Sequence, residues 1–434
     1  MSIDRTAFLR VCNPSTTINC ADPEQGKFYI DFSSVREGQG VEEMADYIAS
    51  YSDEFTCQLF TGHIGCGKST ELLRLKSLLE KENFHAVYFG ADHVLEIGDV
   101  NISDILLATA RQVIGSLEPI GIEPPPKDKF DILKEGMIKV IKEVGIPIGA
   151  GLSINIFNLI GKWFEGAKIK PEIHNHLRGF SEPYTPTILE AINKELLEPA
   201  IQSLTQKGKK GLVVIVDNLD RVQNIVKVGK MQHEYLFFDR GEQLKLNCHI
   251  IYTVPFELRY QDARLRQRFP SGCSVLPMIP VMNRDNRENK AGMELMRQMA
   301  MARAFPNNDA AYRNEHVTEV FDRRETLDRL CRISGGHVRD FLILLNTCIR
   351  KQKNLPISSE TLENVIRESR NNQTRAVSDE EWQVLKQVRK DKKIHKTELF
   401  QDLMRRMFIF EYQDRDGFYA DVNPLLAESR EMMD

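Results

Sequence analysis

The sequence contains no C-x-x-C pair, and its eight cysteines are scattered over 434 residues. That distribution is typical of reduced thiols and argues against a disulfide framework or a zinc site. The first residues lack the apolar core of a secretory signal, so we expect a cytoplasmic protein. Neither sign of charge dominates, since 58 Lys and Arg stand against 62 Asp and Glu. This balance excludes a protein that binds nucleic acid through bulk positive charge.

Long apolar runs are also rare, and the one candidate is the uncharged segment 144–161. Its 18 residues only just reach the length of a membrane span. Eight of them are Gly, Pro, Ser or Asn, which protect the backbone poorly in lipid. We therefore expect a buried connection or a partner-facing loop there, and no stable membrane span.

Short apolar segments with the composition of β-strands alternate with helical patterns in the first two thirds of the chain. These segments lie at 56–60, 84–89, 211–216, 248–254 and near 274–281. Such alternation predicts an α/β domain with a parallel sheet. From about residue 283 the pattern predicts helices only. Near the C-terminus two further helices are followed by a hairpin with Asp416-Gly417 at its turn. That last order is typical of a winged helix-turn-helix.

The strongest motif is a complete G-x-x-x-x-G-K-S between a predicted strand and a leucine-rich helix. Its glycines let backbone N–H groups converge on phosphate oxygens, and the helix N-terminus adds the positive end of its dipole. The motif lysine reaches the β- and γ-phosphates, and the serine hydroxyl ligates Mg²⁺. The predicted nucleotide-binding residues are Gly62, His63, Ile64, Gly65, Cys66, Gly67, Lys68, Ser69 and Thr70.

A phosphate-binding loop of this kind needs a second carboxylate for the metal, at the end of a buried strand. Asp217 directly follows the apolar run GLVVIV and is predicted to hold Mg²⁺ together with Ser69. Many ATPases place Glu next, to polarise the attacking water, but residue 218 is Asn and an amide cannot accept a proton. Either hydrolysis is slow or Asp220 takes that role; an N-cap or a salt bridge is the alternative for Asp220.

The order of motifs resembles that of the AAA+ ATPases, in the branch shared by origin-recognition initiators and STAND signalling ATPases. The order is the phosphate loop, VVIVDNLDR, a strand ending at Thr253, RLRQRF, GGHVRD and the terminal winged-helix pattern. The resemblance implies ATP and Mg²⁺ as cofactors, Thr253 as a sensor near the γ-phosphate, and Arg339 as a second sensor in a helical lid. It also implies an arginine finger in RLRQRF, which completes the site of a neighbouring copy. Arg268 fits that role best, with Arg264 and Arg266 as rivals.

On this basis we divide the chain into four parts. We predict an N-terminal segment at 1–40, a P-loop NTPase core at 41–285, a helical lid at 286–374 and a winged helix at 375–434. An insert at about 125–186 separates the two nucleotide motifs. The string DNLDR also resembles the KAP branch of P-loop NTPases, some of which carry membrane segments at that point.

The predicted winged helix contains 11 Lys and Arg against 13 Asp and Glu. Its basic run Lys386–Lys396 suits phosphate contacts, but a DNA backbone repels the carboxylates of the predicted wing. Those carboxylates belong to Glu411, Asp414, Asp416 and Asp421. The acidic wing favours a protein-binding or autoinhibitory winged helix.

We therefore expect a nucleotide-controlled switch that oligomerises and acts with a separate effector protein in bacterial defence or signalling. No effector domain is visible in the chain itself. An initiator- or transposition-type ATPase that loads on duplex DNA is the alternative.

Overall fold

The computed structural model describes residues 3–37, 40–51, 54–123, 185–223, 225–227 and 230–433. The uncharged segment 144–161 and nearly all of the predicted insert at 125–186 lie outside the described residues. Among the residues described, no helix is both long enough and apolar enough to cross a membrane. The chain forms two compact units. The first consists of Met1–Val41, Thr61–Arg74 and Val275–Asp434, and the second of Glu42–Phe60 and Leu75–Ser274.

A five-stranded sheet confirms the predicted α/β class. Strands β1 (Cys57–Gly62), β2 (His85–Gly90) and β3 (Leu212–Asp217) are followed by a small ribbon of β4 (Val226–Lys227) and β5 (Lys230–Met231), and then by β6 (His249–Thr253) and β7 (Cys273–Leu276). The order in the sheet is β2-β3-β6-β1-β7. The pairs β2–β3, β3–β6 and β1–β6 are parallel.

The parallel register brings the carboxyl ends of these strands to one edge of the sheet. Gly90 at the end of β2 is paired with Asp217 at the end of β3, and Thr253 at the end of β6 is paired with Phe60 of β1. Strand β3 is buried along its whole length, as its unbroken apolar run predicts. Asp217 and Thr253 therefore lie at the same edge.

The second unit has a hydrophobic core that includes Val214, Ile250 and Leu106, and several helices belong to this unit. They are Val41–Ser50, Ala91–Val94, Ile102–Leu117, Thr185–Ala191, Glu198–Gln206, Gln232–Glu234 and Asp262–Arg268. The pattern at 187–206 predicts one uniform helix, but a π-helical segment, Ile192–Leu197, interrupts it. Pro199 lies two residues after the end of this segment, and because proline has no N–H it cannot donate to the helical ladder.

The first unit has its own hydrophobic core, with members as far apart in sequence as Phe8, Met296 and Phe341. The N-terminal helix belongs to this unit, since Arg5 donates to the carbonyl oxygen of Ile349 at 2.6 Å. The helices of this unit are Arg5–Val11, Lys290–Ala304, Ala310–Glu315, Val317–Val320, Arg324–Ile333, Val338–Lys351, Ser359–Thr374, Asp379–Asp391, Glu398–Arg405 and Pro424–Ala427, together with the first residues of Lys68–Lys81.

The C-terminal hairpin consists of β8 (Ile409–Asp414) and β9 (Gly417–Val422), and two helices precede it. Asp414 pairs with Gly417, so the turn residues are Arg415 and Asp416. The hairpin is where the sequence predicts it, but its turn lies one residue earlier than the predicted Asp416-Gly417, and Gly417 is already the first residue of β9. The assignment of this region to a winged helix, like the four-part division of the chain, stays a prediction.

Candidate functional site

The G-x-x-x-x-G-K-S motif joins β1 to the helix Lys68–Lys81, which begins at the motif lysine. This strand–loop–helix context is the one that the motif requires for phosphate binding. Gly65 has a φ of +88°, and a Cβ there would lie 2.8 Å from both Cβ of Arg339 and Nε2 of His337. The position therefore accepts only glycine.

Three consecutive carbonyl oxygens of the loop accept hydrogen bonds from elsewhere in the first unit. His337 Nε2 donates to Ile64 O at 2.8 Å, and Arg36 Nη2 donates to Cys66 O at 2.7 Å. Between them, the backbone N–H of Arg339 donates to Gly65 O at 3.2 Å. In a planar trans peptide the N–H points away from the preceding carbonyl oxygen. These donors therefore fix the direction of the loop amides before any ligand binds.

The motif lysine is buried within the loop itself. Its Nζ donates to Gly62 O at 2.8 Å and to His63 O at 3.1 Å. A bound phosphate would offer this ammonium group charged oxygens in place of neutral carbonyls. Ser69 is half-buried, and the hydroxyl of Thr70 accepts a hydrogen bond from Ile18 N at 3.4 Å.

An N-terminal cluster next to the loop helix was missed by the sequence analysis. Tyr29 donates its hydroxyl to Glu71 Oε1 at 3.2 Å, and Arg74 lies 3.5 Å from the other oxygen of Glu71. Burial raises the pKa of Glu71, while the charges of Arg36 and Arg74 lower it. Nothing in the spacing of Tyr29 and Arg36 relates them to the motif, because they approach it only in the folded chain.

The C-terminal hairpin also contacts the loop. The backbone N–H of Glu411 donates to His63 Nε2 at 2.8 Å, and the rings of His63 and Phe410 meet edge to face with centroids 6.1 Å apart. The ring of His337 lies on Phe410 as well, with centroids 5.5 Å apart. Two histidines from distant parts of the sequence thus hold Phe410 against the loop.

In the second unit, Asp217 is fully buried at the end of β3. Its Oδ2 accepts a hydrogen bond from the hydroxyl of Tyr88 at 2.8 Å. The hydroxyl of Thr253 accepts from Leu219 N at 3.0 Å, which ties the end of β6 to the turn after Asp217. A carboxylate and a hydroxyl are the oxygen ligands that Mg²⁺ takes, so Asp217 and Ser69 fit the predicted metal by donor type. Across the described ranges, no group of three or more His, Cys, Asp or Glu forms a metal cluster.

Asn218 adopts a left-handed conformation with φ of +63°. Its Nδ2 donates to Asp92 Oδ1 at 2.8 Å, and Arg221 Nη1 donates to Asp92 Oδ2 at 2.6 Å. Asp220 lies half-buried in the short 3₁₀ turn Leu219–Arg221. Sequence reasoning missed Asp92 because it precedes Asn218 by 126 residues and belongs to no motif.

No protein-family model matches the chain, and no curated protein matches it. Solved structures that are similar to it include two archaeal proteins. A Walker-type ATPase of Pyrococcus abyssi is 10% identical, with a TM-score of 0.42, over 92% of this chain and 98% of that one. Cdc6p from Pyrobaculum aerophilum is 10% identical, with a TM-score of 0.40, over 99% and 97% of the two chains.

The predicted arginine finger and its two rivals all lie on the helix Asp262–Arg268. Arg268 donates through Nε to Phe238 O at 3.1 Å, and its side chain is 45% exposed. Arg264 lies over the ring of Phe238, with its guanidinium carbon 4.5 Å from the centroid. Arg266 packs over Gly272. Arg268 is thus held through its Nε, and its side chain is partly exposed.

The carboxylates of the C-terminal hairpin are mostly engaged within the first unit. Glu411 is buried, and Asp414 pairs with Arg284 at 2.9 Å. Asp421 accepts from Arg389 at 3.1 Å and forms an ion pair with Lys392. The repulsion of DNA that the sequence predicts is therefore weaker, and the basic run Lys386–Lys396 is itself partly neutralised.

Proposed function

We propose that this protein binds ATP with Mg²⁺ and hydrolyses the nucleotide. The observation that carries the proposal is the phosphate loop between β1 and the helix Lys68–Lys81, with its peptides oriented by three fixed donors. In this function Lys68 binds the β- and γ-phosphates, while Ser69 and Asp217 hold Mg²⁺. Thr253 and Arg339 take the sensor roles that the resemblance implies.

The variant Lys68→Ala tests nucleotide binding. We expect its affinity for ATP to fall by roughly a hundredfold, because the charge-assisted contacts to the phosphates are lost. Lys76→Ala is the matched control, since Lys76 lies on the same helix and forms a surface ion pair with Glu80. Isothermal calorimetry with and without Mg²⁺ measures both variants. Equal ATP affinity in the wild type and the Lys68→Ala variant would contradict the proposal.

We further propose that the bound nucleotide controls assembly of the protein with copies of itself and with a separate effector in bacterial defence or signalling. The loop contacts support this role, since Arg36, His337 and the hairpin residue Glu411 all touch the phosphate loop. A ligand that moves the loop therefore acts on the N-terminal segment, the helix Val338–Lys351 and the hairpin together. The partly exposed Arg268 is the group offered to a neighbouring copy.

Molar mass by light scattering tests the switch. The protein is measured without nucleotide, with ADP and with a slowly hydrolysed ATP analogue, each in the presence and absence of duplex DNA. Assembly with the ATP analogue alone supports the switch, and Arg268→Ala then abolishes it. Assembly that requires DNA supports the initiator- or transposition-type alternative. A constant monomer contradicts nucleotide-controlled oligomerisation.

A further inference from the structure

Asn218, which follows the predicted metal ligand Asp217, has an amide side chain, but the carboxylate of Asp92 lies next to it. Asn218 directs its Nδ2 to Oδ1 of Asp92 at 2.8 Å. Gly90, two residues before Asp92, is paired in the sheet with Asp217, one residue before Asn218. Asp92 and Asn218 therefore leave neighbouring parallel strands at the same edge and meet there.

Asp92 is held with a defined orientation. Its second oxygen, Oδ2, accepts from Arg221 at 2.6 Å, and its side chain is only 20% exposed. A Cβ at Gly90 would lie 2.8 Å from Oδ1 of Asp92 and 3.2 Å from Nδ2 of Asn218, so the backbone approaches the pair closely. Each carboxylate oxygen has two acceptor positions, so an oxygen with one donor retains capacity for a water molecule.

We propose that Asp92 is the carboxylate that activates the attacking water, and that Asn218 and Arg221 orient it. This role rests on the proposed ATPase function. The water oxygen bonds to the γ-phosphorus, and the bond from that phosphorus to the β,γ-bridging oxygen breaks. The electron pair of the broken bond leaves with ADP, and the proton of the water passes to Asp92. Asn218 donates a hydrogen bond and takes no proton.

Single-turnover hydrolysis by the full chain tests this role. We expect Asp92→Asn to slow hydrolysis by about a hundredfold or more, while its affinity for a slowly hydrolysed ATP analogue and its Tm stay close to wild type. An asparagine at 92 has one acceptor oxygen and keeps the hydrogen bond from only one of Asn218 and Arg221. The Tm and the affinity for the analogue therefore separate a slower reaction from a loss of structure. Asp46→Asn is the matched control, since Asp46 is exposed on the helix Val41–Ser50, and we expect a wild-type rate.

The exchanged pair, Asp92→Asn with Asn218→Asp, sharpens the test. It keeps one amide and one carboxylate in the same contact, and we expect it to recover hydrolysis to within about tenfold of wild type. It also decides the matter if Asp92→Asn alone folds poorly. A wild-type rate in Asp92→Asn, or complete loss in Asp220→Asn with Asp92 intact, would overturn the role of Asp92.

The hydrolysis rates of the wild type, Lys68→Ala and Asp92→Asn distinguish failure of the ATPase proposal from failure of the role of Asp92. A wild-type rate no higher than that of Lys68→Ala would overturn the ATPase and, with it, the role of Asp92. A wild-type rate above that background, unchanged in Asp92→Asn, overturns the role of Asp92 alone.

Discussion

His337 Nε2 donates a hydrogen bond to the carbonyl oxygen of Ile64 at 2.8 Å, although the two residues are 273 positions apart. The other ring nitrogen, Nδ1, accepts from Asp340 N at 3.3 Å and so caps the helix Val338–Lys351. One imidazole therefore starts a helix and fixes a peptide of the phosphate loop. Helix position and loop shape are coupled through this ring.

Substitution of His337 separates its two contacts. We expect His337→Ala to lose about 1–3 kcal/mol of stability, from the missing cap and the unpaired carbonyl, and to bind ATP more weakly. His337→Asn restores a good cap, but its side chain is too short to reach Ile64. Stability should then recover in part while ATP affinity stays low. Thermal unfolding and calorimetry measure the two effects, and full recovery of affinity in His337→Asn would rule out the loop contact as its cause.

Gly65→Ala should remove nucleotide binding. The added methyl would meet Arg339 and His337 at 2.8 Å, and the φ of +88° is strained for any other residue. Gly115→Ala is the control, because Gly115 lies in the helix Ile102–Leu117 with nothing within 4 Å of an added Cβ. We expect that change to stabilise by about 0.5–1 kcal/mol. An ATP titration that does not distinguish Gly65→Ala from Gly115→Ala would contradict the close packing on Gly65.

The free energy of unfolding should decrease as the pH is lowered, because His249 is buried in its neutral form. Burial lowers the pKa of this histidine to about 4, against 6.5 for an ordinary one. Its Nδ1 lies 3.0 Å from the hydroxyl of Thr56, and the rings of Phe84 and Phe55 face it. Between pH 6.5 and about 4 the unfolded chain binds a proton that the folded chain does not. The free energy of unfolding therefore decreases by up to about 3 kcal/mol as pH falls through that window.

The variant His249→Asn isolates this contribution. Asparagine keeps a polar partner for Thr56 and does not titrate, so its free energy of unfolding should depend less on pH between 6.5 and 4. Chemical denaturation at several pH values gives the slope for each protein. The slopes are compared rather than the absolute stabilities, because the smaller side chain leaves a cavity. Identical slopes would show that His249 titrates normally in the folded protein.

The two adjacent lysines of the basic run should respond differently to charge reversal. Lys392 is buried against Asp421, so Lys392→Glu brings two carboxylates together and should cost about 3 kcal/mol. Lys393 is exposed, and Lys393→Glu should change stability by less than about 0.5 kcal/mol. Thermal unfolding compares them. Equal losses of stability would contradict the buried pair.

Lys390 and Lys393 are therefore the residues with which to test DNA binding, because both are exposed. For the proposed switch we expect no salt-sensitive binding of duplex DNA by the wild type. Measurable binding at low salt, lost when Lys390 and Lys393 are both reversed to Glu, would instead support the DNA-loading alternative. Fluorescence anisotropy with a labelled duplex measures this.

The strands of the sheet were predictable because a strand buried on both faces needs a continuous apolar run. The run 211–216 lies within one residue of β3, Leu212–Asp217. The contacts of Arg36 and Asp92 were not predictable, since each depends on a side chain that meets the motif across a long stretch of chain. The π segment in the helix near 192–197 was missed because hydrophobic periodicity does not report the loss of one N–H at Pro199.

The carbonyl contacts of the phosphate loop also set an order of events during protein synthesis. A nascent chain that ends before His337 contains the whole loop motif but lacks two of its three donors. Of the three donors, such a chain contains Arg36 alone. The ribosome must therefore release the helix Val338–Lys351 before the loop takes its final shape, so we expect nucleotide capture to follow synthesis of that helix.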